Sequence, residues 1–488
     1  MRFTTDLASC TWTVPVPVKR ARFQALDPAH ARHNVETDLA AIGAFGLDPA
    51  RPTPELVHSD LQTLPLWNSE RRLGSGRAGV HEGAYLKGIG RTPLAANWAD
   101  PEDRYHNTGH MLASAAAREY LVSRALAAHG LGDTLVPCTG LLAAPLPVPG
   151  DAMLAAMLPS SVGRFGLADR RLQAISVKPA DFARLSNFVW ALDHLGSAAD
   201  LGPLFYRLCH YLAPPSARPI APSACSPAAI AASLAGSIEH AIEHFGAWVG
   251  AGVFWGSLSN NLSADGRFLD LEVPLVLLAP FFGVCGDVGG AWMANNWFGL
   301  EVLSYARETR DFVARLRERI RFLAAHVFPR GVAHDFCAEV ARELDAQLGP
   351  EHVLWSRDRL VEAATDAVVS ALGLDAPRAA RVRGIADRQY ALVFEDARID
   401  FSDVALRKLD VHVAPAEPGQ ERVLAYPAFL EGVIDGRAFD AGRLFNEGLR
   451  SADASADVDD LFTRVERAAD GVDAAIGAPR ELPRRAAR

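Results

Sequence analysis

The sequence predicts an α+β fold in which a strand-rich first part precedes a helical body. Three observations carry this reading. Short alternating apolar–polar runs recur between residues 11 and 177, interrupted by one strong helical pattern. From residue 180 to 394 the apolar residues recur mostly at helical spacing. Hydrophobic residues make up 49% and charged residues 22% of the 488 positions, enough to bury a large core and to exclude a wholly disordered chain.

The elements follow in order. Thr11 to Val18 (TWTVPVPV) alternates like an edge strand broken by prolines, and Val35 to Phe45 has helical spacing. Leu73 to Ala78 (LGSGRA) is a glycine turn. Val80 to Leu86 then reads as one strand ending at Lys87, so that turn and strand form a hairpin. Thr108 to His129 is an amphipathic helix ended by Gly130. Strands are predicted at Thr134 to Leu142 and Leu172 to Val177, then helices at Ala180 to Leu195 and Leu201 to Leu212. Pro214 to Pro227 is a proline-rich connector, and Ala228 to Gly250 is a long helix. A polar loop, Trp255 to Ser263, leads into a short strand at Arg267 to Leu271. Helices are expected at Trp292 to Val327, Asp335 to Leu348, Arg359 to Leu372 and Arg378 to Phe394. From Asp453 onward a loosely held helix and a flexible tail are expected.

Composition restricts function. The net charge of −9 excludes a general nucleic-acid binder, which would be basic. The apolar stretch Val273 to Val284 is shorter than the ~20 residues of a membrane span, so no membrane partner is expected. The N-terminus lacks the apolar core of a signal peptide. The six cysteines form no CxxC pair and suit a reducing compartment, so the expected location is the cytoplasm.

Four features suit phosphate chemistry. Gly74, Ser75 and Gly76 let backbone N–H groups approach an anion, and Arg77 adds a bidentate clamp. Lys87 ends a strand and is followed by Gly88 and Gly90. Glu119, in mid-helix, can pair with Lys87, or with Arg118 on a solvated face. Asn260 and Asn261 precede Asp270, and an amide oxygen with a carboxylate suits Mg²⁺. This chain order matches that of protein kinases, although their HRD and DFG strings are absent.

Leu86 to Pro93 (LKGIGRTP) resembles the LKGAGRTP signature of the selenoprotein O family, pseudokinase-fold enzymes that transfer AMP from ATP to protein hydroxyls. LGSGRA resembles that family's LGDGRA, Arg118 to Leu121 (REYL) its REFL helix, and Asn261 to Asp270 its metal loop. Lys178 to Arg184 (KPADFAR) resembles its hinge, and the likeness spans about Leu64 to Pro274. The resemblance implies a bilobal protein-kinase-like fold: an N-terminal extension at 1–59, a strand-rich lobe at 60–177, a helical lobe at 178–394 and a C-terminal extension at 395–488. It implies ATP bound in a flipped orientation, with Arg77, Lys87, Lys178 and Arg184 at the phosphates, Gly74, Gly76 and Gly88 shaping the loop, and Glu119 holding Lys87. Asn261 and Asp270 would ligate Mg²⁺. Asn260 stands at the catalytic position, where the family has an aspartate; Trp255 replaces a histidine and Lys178 an arginine.

The implied activity is nucleotidyl transfer (AMPylation) to a hydroxyl, or to a carboxyl that needs no base, of a protein, peptide or small-molecule acceptor. Three other readings remain. One is a kinase-like enzyme moving the γ-phosphoryl group, and another is a nucleotide-binding scaffold without turnover. The third is a zinc hydrolase built on His240, Glu243 and His244, which match HxxEH, with Glu318 as third ligand. His106 and His110 form another i,i+4 pair, read as helix capping. Trp248 and the aromatics from Phe254 to Phe298 are read as core packing.

Overall fold

The computed structural model describes residues 84–88, 111, 113–145, 172–193, 201–219, 221, 225–254, 261–271, 275–276, 299–328, 330–349, 352–395, 412–415, 421–424, 455 and 457–477, and the short strands named below that lie before residue 82. It is an α+β structure, mostly helical, with one antiparallel sheet of seven strands. Strands β1 (Trp12–Thr13), β2 (Val16–Val18), β3 (Gln24–Leu26), β4 (Val57–Ser59) and β5 (Gln62–Thr63) precede β6 (Ala78–His81) and β7 (Ala84–Lys87). Helix α1 (Ala113–Ala128) separates these from β8 (Gly140–Pro145) and β9 (Leu172–Pro179). The sheet order is β1-β5-β6-β7-β9-β8-β3, so β7 and β9 lie side by side at its centre.

The hairpin differs from expectation. His81 pairs with Ala84, and Ala78 with Lys87, so the chain reverses between His81 and Ala84. Val80 to Leu86 is therefore two strands, not one. The Glu82-Gly83 dipeptide fits within a run of alternating residues without breaking its period, which hides a two-residue connection. Elsewhere the boundaries shift. Residues 132–134 form a 3₁₀ turn and β8 starts only at Gly140. Arg267 to Leu271 is no strand: only Phe268 bridges, to Leu135 and Leu262. The Val35 to Phe45 helix, His106 and His110 lie outside the described residues.

The helical body consists of α2 (Leu185–Asp193), α3 (Leu201–Leu212), α4 (Pro227–Gly250), α5 (Gly299–Phe322), α6 (Val332–Leu348), α7 (Arg357–Leu372) and α8 (Ala376–Tyr390). Ser226 caps α4 by accepting from the Ala229 amide, and proline follows at the first helical position. Gly373, with φ of 60°, ends α7 in the left-handed conformation. Residues 180–184, expected as the start of a helix, bend at Ala180 and are not helical before α2 begins. Trp248 is fully buried, packs on Phe268 at 4.0 Å and donates to Thr134 Oγ1 at 2.6 Å, which makes it a core residue. Among the described residues no helix is long and apolar enough to cross a membrane.

The last helix, α9 (Val458–Gly477), is not loosely held. It packs along α1, burying Val458, Leu461, Val465, Ala468, Ala469 and Val472. Their i, i+3, i+4, i+7 spacing makes a continuous apolar stripe, which the alanine- and aspartate-rich composition obscures. Arg124 of α1 donates to Asp473 through Nε at 3.0 Å and Nη2 at 2.8 Å.

Candidate functional site

Strand register assembles the first part of the site. Tyr85 pairs with Lys178, and Lys87 with Ser176, across β7 and β9. Side chains alternate along a strand, so these four residues share one face of the sheet. Leu141 and Ala143 of β8 share that face by register. They join the core cluster of α1, which lies across β8 and β9. The helix brings Glu119, fully buried, onto the two lysines: Lys87 Nζ donates to Glu119 Oε1 at 2.9 Å and Lys178 Nζ at 3.1 Å.

The second part comes from a tight turn. Asn261 to Leu271 is braced by backbone bonds from Val136 to the Phe268 carbonyl and from Phe268 to the Thr134 carbonyl, both 2.9 Å. Leu269 donates to the Asn261 carbonyl at 2.8 Å, which sets Asp270 close to Asn261. Ser263, Asp265 and Arg267 bond to one another inside the turn, and Arg218 reaches Asp265 from the connector at 3.3 Å. Asp270 has φ of 43°, the only non-glycine positive φ among the described residues. Such a conformation stores about 1–3 kcal/mol and persists only where its surroundings enforce it.

Here the enforcing contacts are ionic. Asp270 Oδ1 accepts from Lys87 Nζ at 2.8 Å, and Oδ2 from Arg184 Nη2 at 3.3 Å. Arg184 Nη1 reaches Asn261 Oδ1 at 3.4 Å, so one guanidinium holds both candidate metal ligands side by side. Three cations, Lys87, Lys178 and Arg184, thus meet two carboxylates, Glu119 and Asp270. Burial pushes the Glu119 carboxyl up, but Lys178 and Lys87 override it and hold it at about 2. For Asp270, burial is likewise overridden by Lys87 and Arg184, which keep it well below the usual carboxylate range.

Compared with protein-family models, curated proteins and solved structures, the chain matches none. The site therefore rests on its own geometry. The structure brings together Lys87, Glu119, Lys178, Arg184, Asn261 and Asp270, while Gly74, Gly76, Arg77, Asn260 and Trp255 lie outside the described residues. Lys178 is 1% exposed and turned onto Glu119, so its place is beneath the cluster and not on an open phosphate-facing surface. The resemblance sets Lys178 at the phosphates; its place opposite Tyr85 in the sheet, under α1, is what buries it. Gly88 has a packing reason. Its φ is 102°, and a Cβ would lie 2.6 Å from the Ala174 carbonyl and 2.7 Å from Met111 Cβ. Gly88→Ala is expected to cost about 2–4 kcal/mol in a urea denaturation, combining backbone strain and overpacking. A loss below about 1 kcal/mol would show that the strand end relaxes freely.

One neighbour was not anticipated. Tyr85 is buried, edge-on to Phe182 at 4.9 Å, and its hydroxyl feels Arg184, Asp270, Lys178 and Lys87, with burial raising its pKa. Its i, i+2 spacing from Lys87 is the sequence signal that places it there. Among the described residues no group of three or more His, Cys, Asp or Glu side chains is arranged to hold a metal, so Glu318 does not complete a zinc site with His240 and His244. Mg²⁺ bound with a nucleotide makes no such demand. One or two carboxylates suffice, and phosphates and water fill the remaining positions.

Proposed function

We propose that this protein is an ATP- and Mg²⁺-dependent nucleotidyltransferase, a divergent relative of the selenoprotein O family with its bilobal kinase-like fold. It would move AMP from ATP to a hydroxyl or carboxyl of a protein, peptide or small-molecule acceptor. The observation that carries the reading is the meeting of Lys87, Glu119 and Asp270 in one buried cluster, although 32 and 183 residues separate the pairs. That is the strand-lysine, helix-glutamate and metal-aspartate arrangement that phosphoryl-transfer enzymes of the kinase type require.

The residues fit a nucleotide together with its metal. The cluster carries one more cation than carboxylate, which favours an anion. A bare dication would meet three fixed positive charges, so the phosphates and Mg²⁺ belong there jointly. Asp270 and Asn261 supply hard oxygen donors, held in one place by Arg184. Bound Mg²⁺–ATP supplies the AMP group and charge neutralisation on its phosphates.

The chain's own residues position and compensate charge. Glu119 fixes the Nζ of Lys87 and spares it the cost of burial. Lys87 and Arg184 contribute positive charge where the phosphates lie. Asn260 has no carboxylate to accept a proton, and a missing general base costs a hydroxyl acceptor about 10²–10⁴-fold. A carboxyl acceptor is already ionised at neutral pH and avoids that loss.

The test is incubation with ATP labelled at the α- or the γ-phosphate and a panel of hydroxyl and carboxyl acceptors. Transfer of α-label with pyrophosphate release is the expected result. Transfer from the γ-position alone would replace this reading with a kinase-like one. ATP binding without turnover would favour a scaffold, and no ATP binding would overturn all three.

A further inference from the structure

The HxxEH segment leaves two imidazoles that the nucleotide site does not use. His240 and His244 lie one turn apart on α4, with rings nearly parallel at 15° and centroids 6.3 Å apart. His244 Nδ1 lies 2.9 Å from the Gly266 carbonyl. A carbonyl only accepts, so in the neutral ring Nδ1 carries the proton and Nε2 presents its lone pair. A backbone carbonyl behind a ligating histidine is the usual outer support that fixes tautomer and ring direction. Gly266 is held in this position: its φ is 79°, and a Cβ there would lie 2.7 Å from the Ser237 carbonyl and 2.8 Å from the Ala241 amide.

His240 makes no hydrogen bond to the described protein, and its Nδ1 is shut away from solvent without a partner. The two rings lie one turn apart on the same side of the helix.

We propose that His240 and His244 form a two-histidine chelate for a late first-row transition-metal dication such as Zn²⁺ or Ni²⁺, supported by the Gly266 carbonyl and leaving the other coordination positions open. Imidazole nitrogens favour these ions over Mg²⁺, so the site is chemically separate from the Asn261 and Asp270 oxygens. Metal–nitrogen bonds of about 2.1 Å bring the ring centroids to roughly 5 Å, so the rings, nearly parallel and 6.3 Å apart, rotate to aim their in-plane lone pairs at one ion. Because Gly266 lies in the turn that carries Asn261 and Asp270, the His244 hydrogen bond joins the chelate to that turn.

The experiment titrates the untagged full chain with NiCl₂ or ZnCl₂ in the presence of excess Mg²⁺, reading stoichiometry by calorimetry and thermal midpoint by fluorescence. One ion per chain is expected, with a raised midpoint. His240→Ala breaks no internal hydrogen bond, so it isolates the ligand role from folding; it is expected to weaken binding at least tenfold, and His244→Ala likewise. His334→Ala, at a half-buried histidine of α6 remote in sequence from the pair, is expected to bind as the unchanged chain does. Binding that survives His240→Ala and His244→Ala alike, or no binding below millimolar metal, overturns the proposal. Neither outcome bears on ATP binding, so this inference and the nucleotidyltransferase reading fail independently.

Discussion

Glu119→Gln is expected to destabilise the protein by about 3–5 kcal/mol, the cost of leaving a buried charge without its partner. The glutamate accepts from two ammonium groups, and neither can turn to water. Lys87 is 4% exposed and Lys178 1%. Lys87 keeps Asp270 in the variant. Lys178 does not: among the described residues Glu119 is its only ion-pair partner. Glutamine matches the shape and can accept a hydrogen bond, so the loss reports charge. Urea denaturation measures it, and Glu119→Gln combined with Lys178→Met is the informative second variant. If the unpaired Lys178 ammonium is the cause, removing it restores most of the loss. Failure of that rescue would assign the cost to packing.

The same pairing predicts an acid dependence. The folded pKa of Glu119 is depressed from 4.5 to about 2. A depressed carboxylate contributes stability that is fully present above its unfolded pKa and is lost as pH falls through the folded one. The stability difference between the unchanged chain and Glu119→Gln should therefore stay constant from pH 7 to about 5. It should shrink between about 4.5 and 2. A difference that grew on acidification would contradict the assigned ion pairs.

Asp270→Asn is expected to reduce Mg²⁺-dependent nucleotide binding or turnover on the order of 100-fold or more, while leaving the fold in place. Asparagine tolerates the left-handed backbone at φ of 43°, which alanine does not, so this substitution removes charge without adding strain. The side chain is 17% exposed, and water softens the stability cost. The local balance changes from three cations against two carboxylates to three against one. Nucleotide binding that no longer responds to Mg²⁺ is the expected signature, read by fluorescence with and without the metal. An unchanged Mg²⁺ response would remove Asp270 from the metal position.

Much of this architecture was written in local patterns. The 3.6-residue spacing of α1, α3, α4 and α7 gave their positions to within a few residues, because each buries one continuous stripe. Glycine and proline marked their ends. The failures share a cause. The β6–β7 reversal, the missing strand at Arg267 to Leu271 and the docked α9 all depend on which distant segment a residue meets. An alternating run looks the same whether it continues or folds back. A modestly apolar helix looks loose until α1 offers its groove.

The candidate site divides the same way. The sequence by itself determined the candidates: a strand-end lysine, a mid-helix glutamate, an asparagine in a polar loop, and an aspartate expected on the strand after it. Only the tertiary structure decided how they are joined. It set one carboxylate against two lysines, turned Lys178 inward, added Tyr85 to the same face, and let Arg184 gather Asn261 and Asp270. The reason is physical. Periodicity records how each element meets the core, which is local. A buried charge is tolerable only with a partner at hydrogen-bond distance, and that partner is supplied by segments up to 183 residues away.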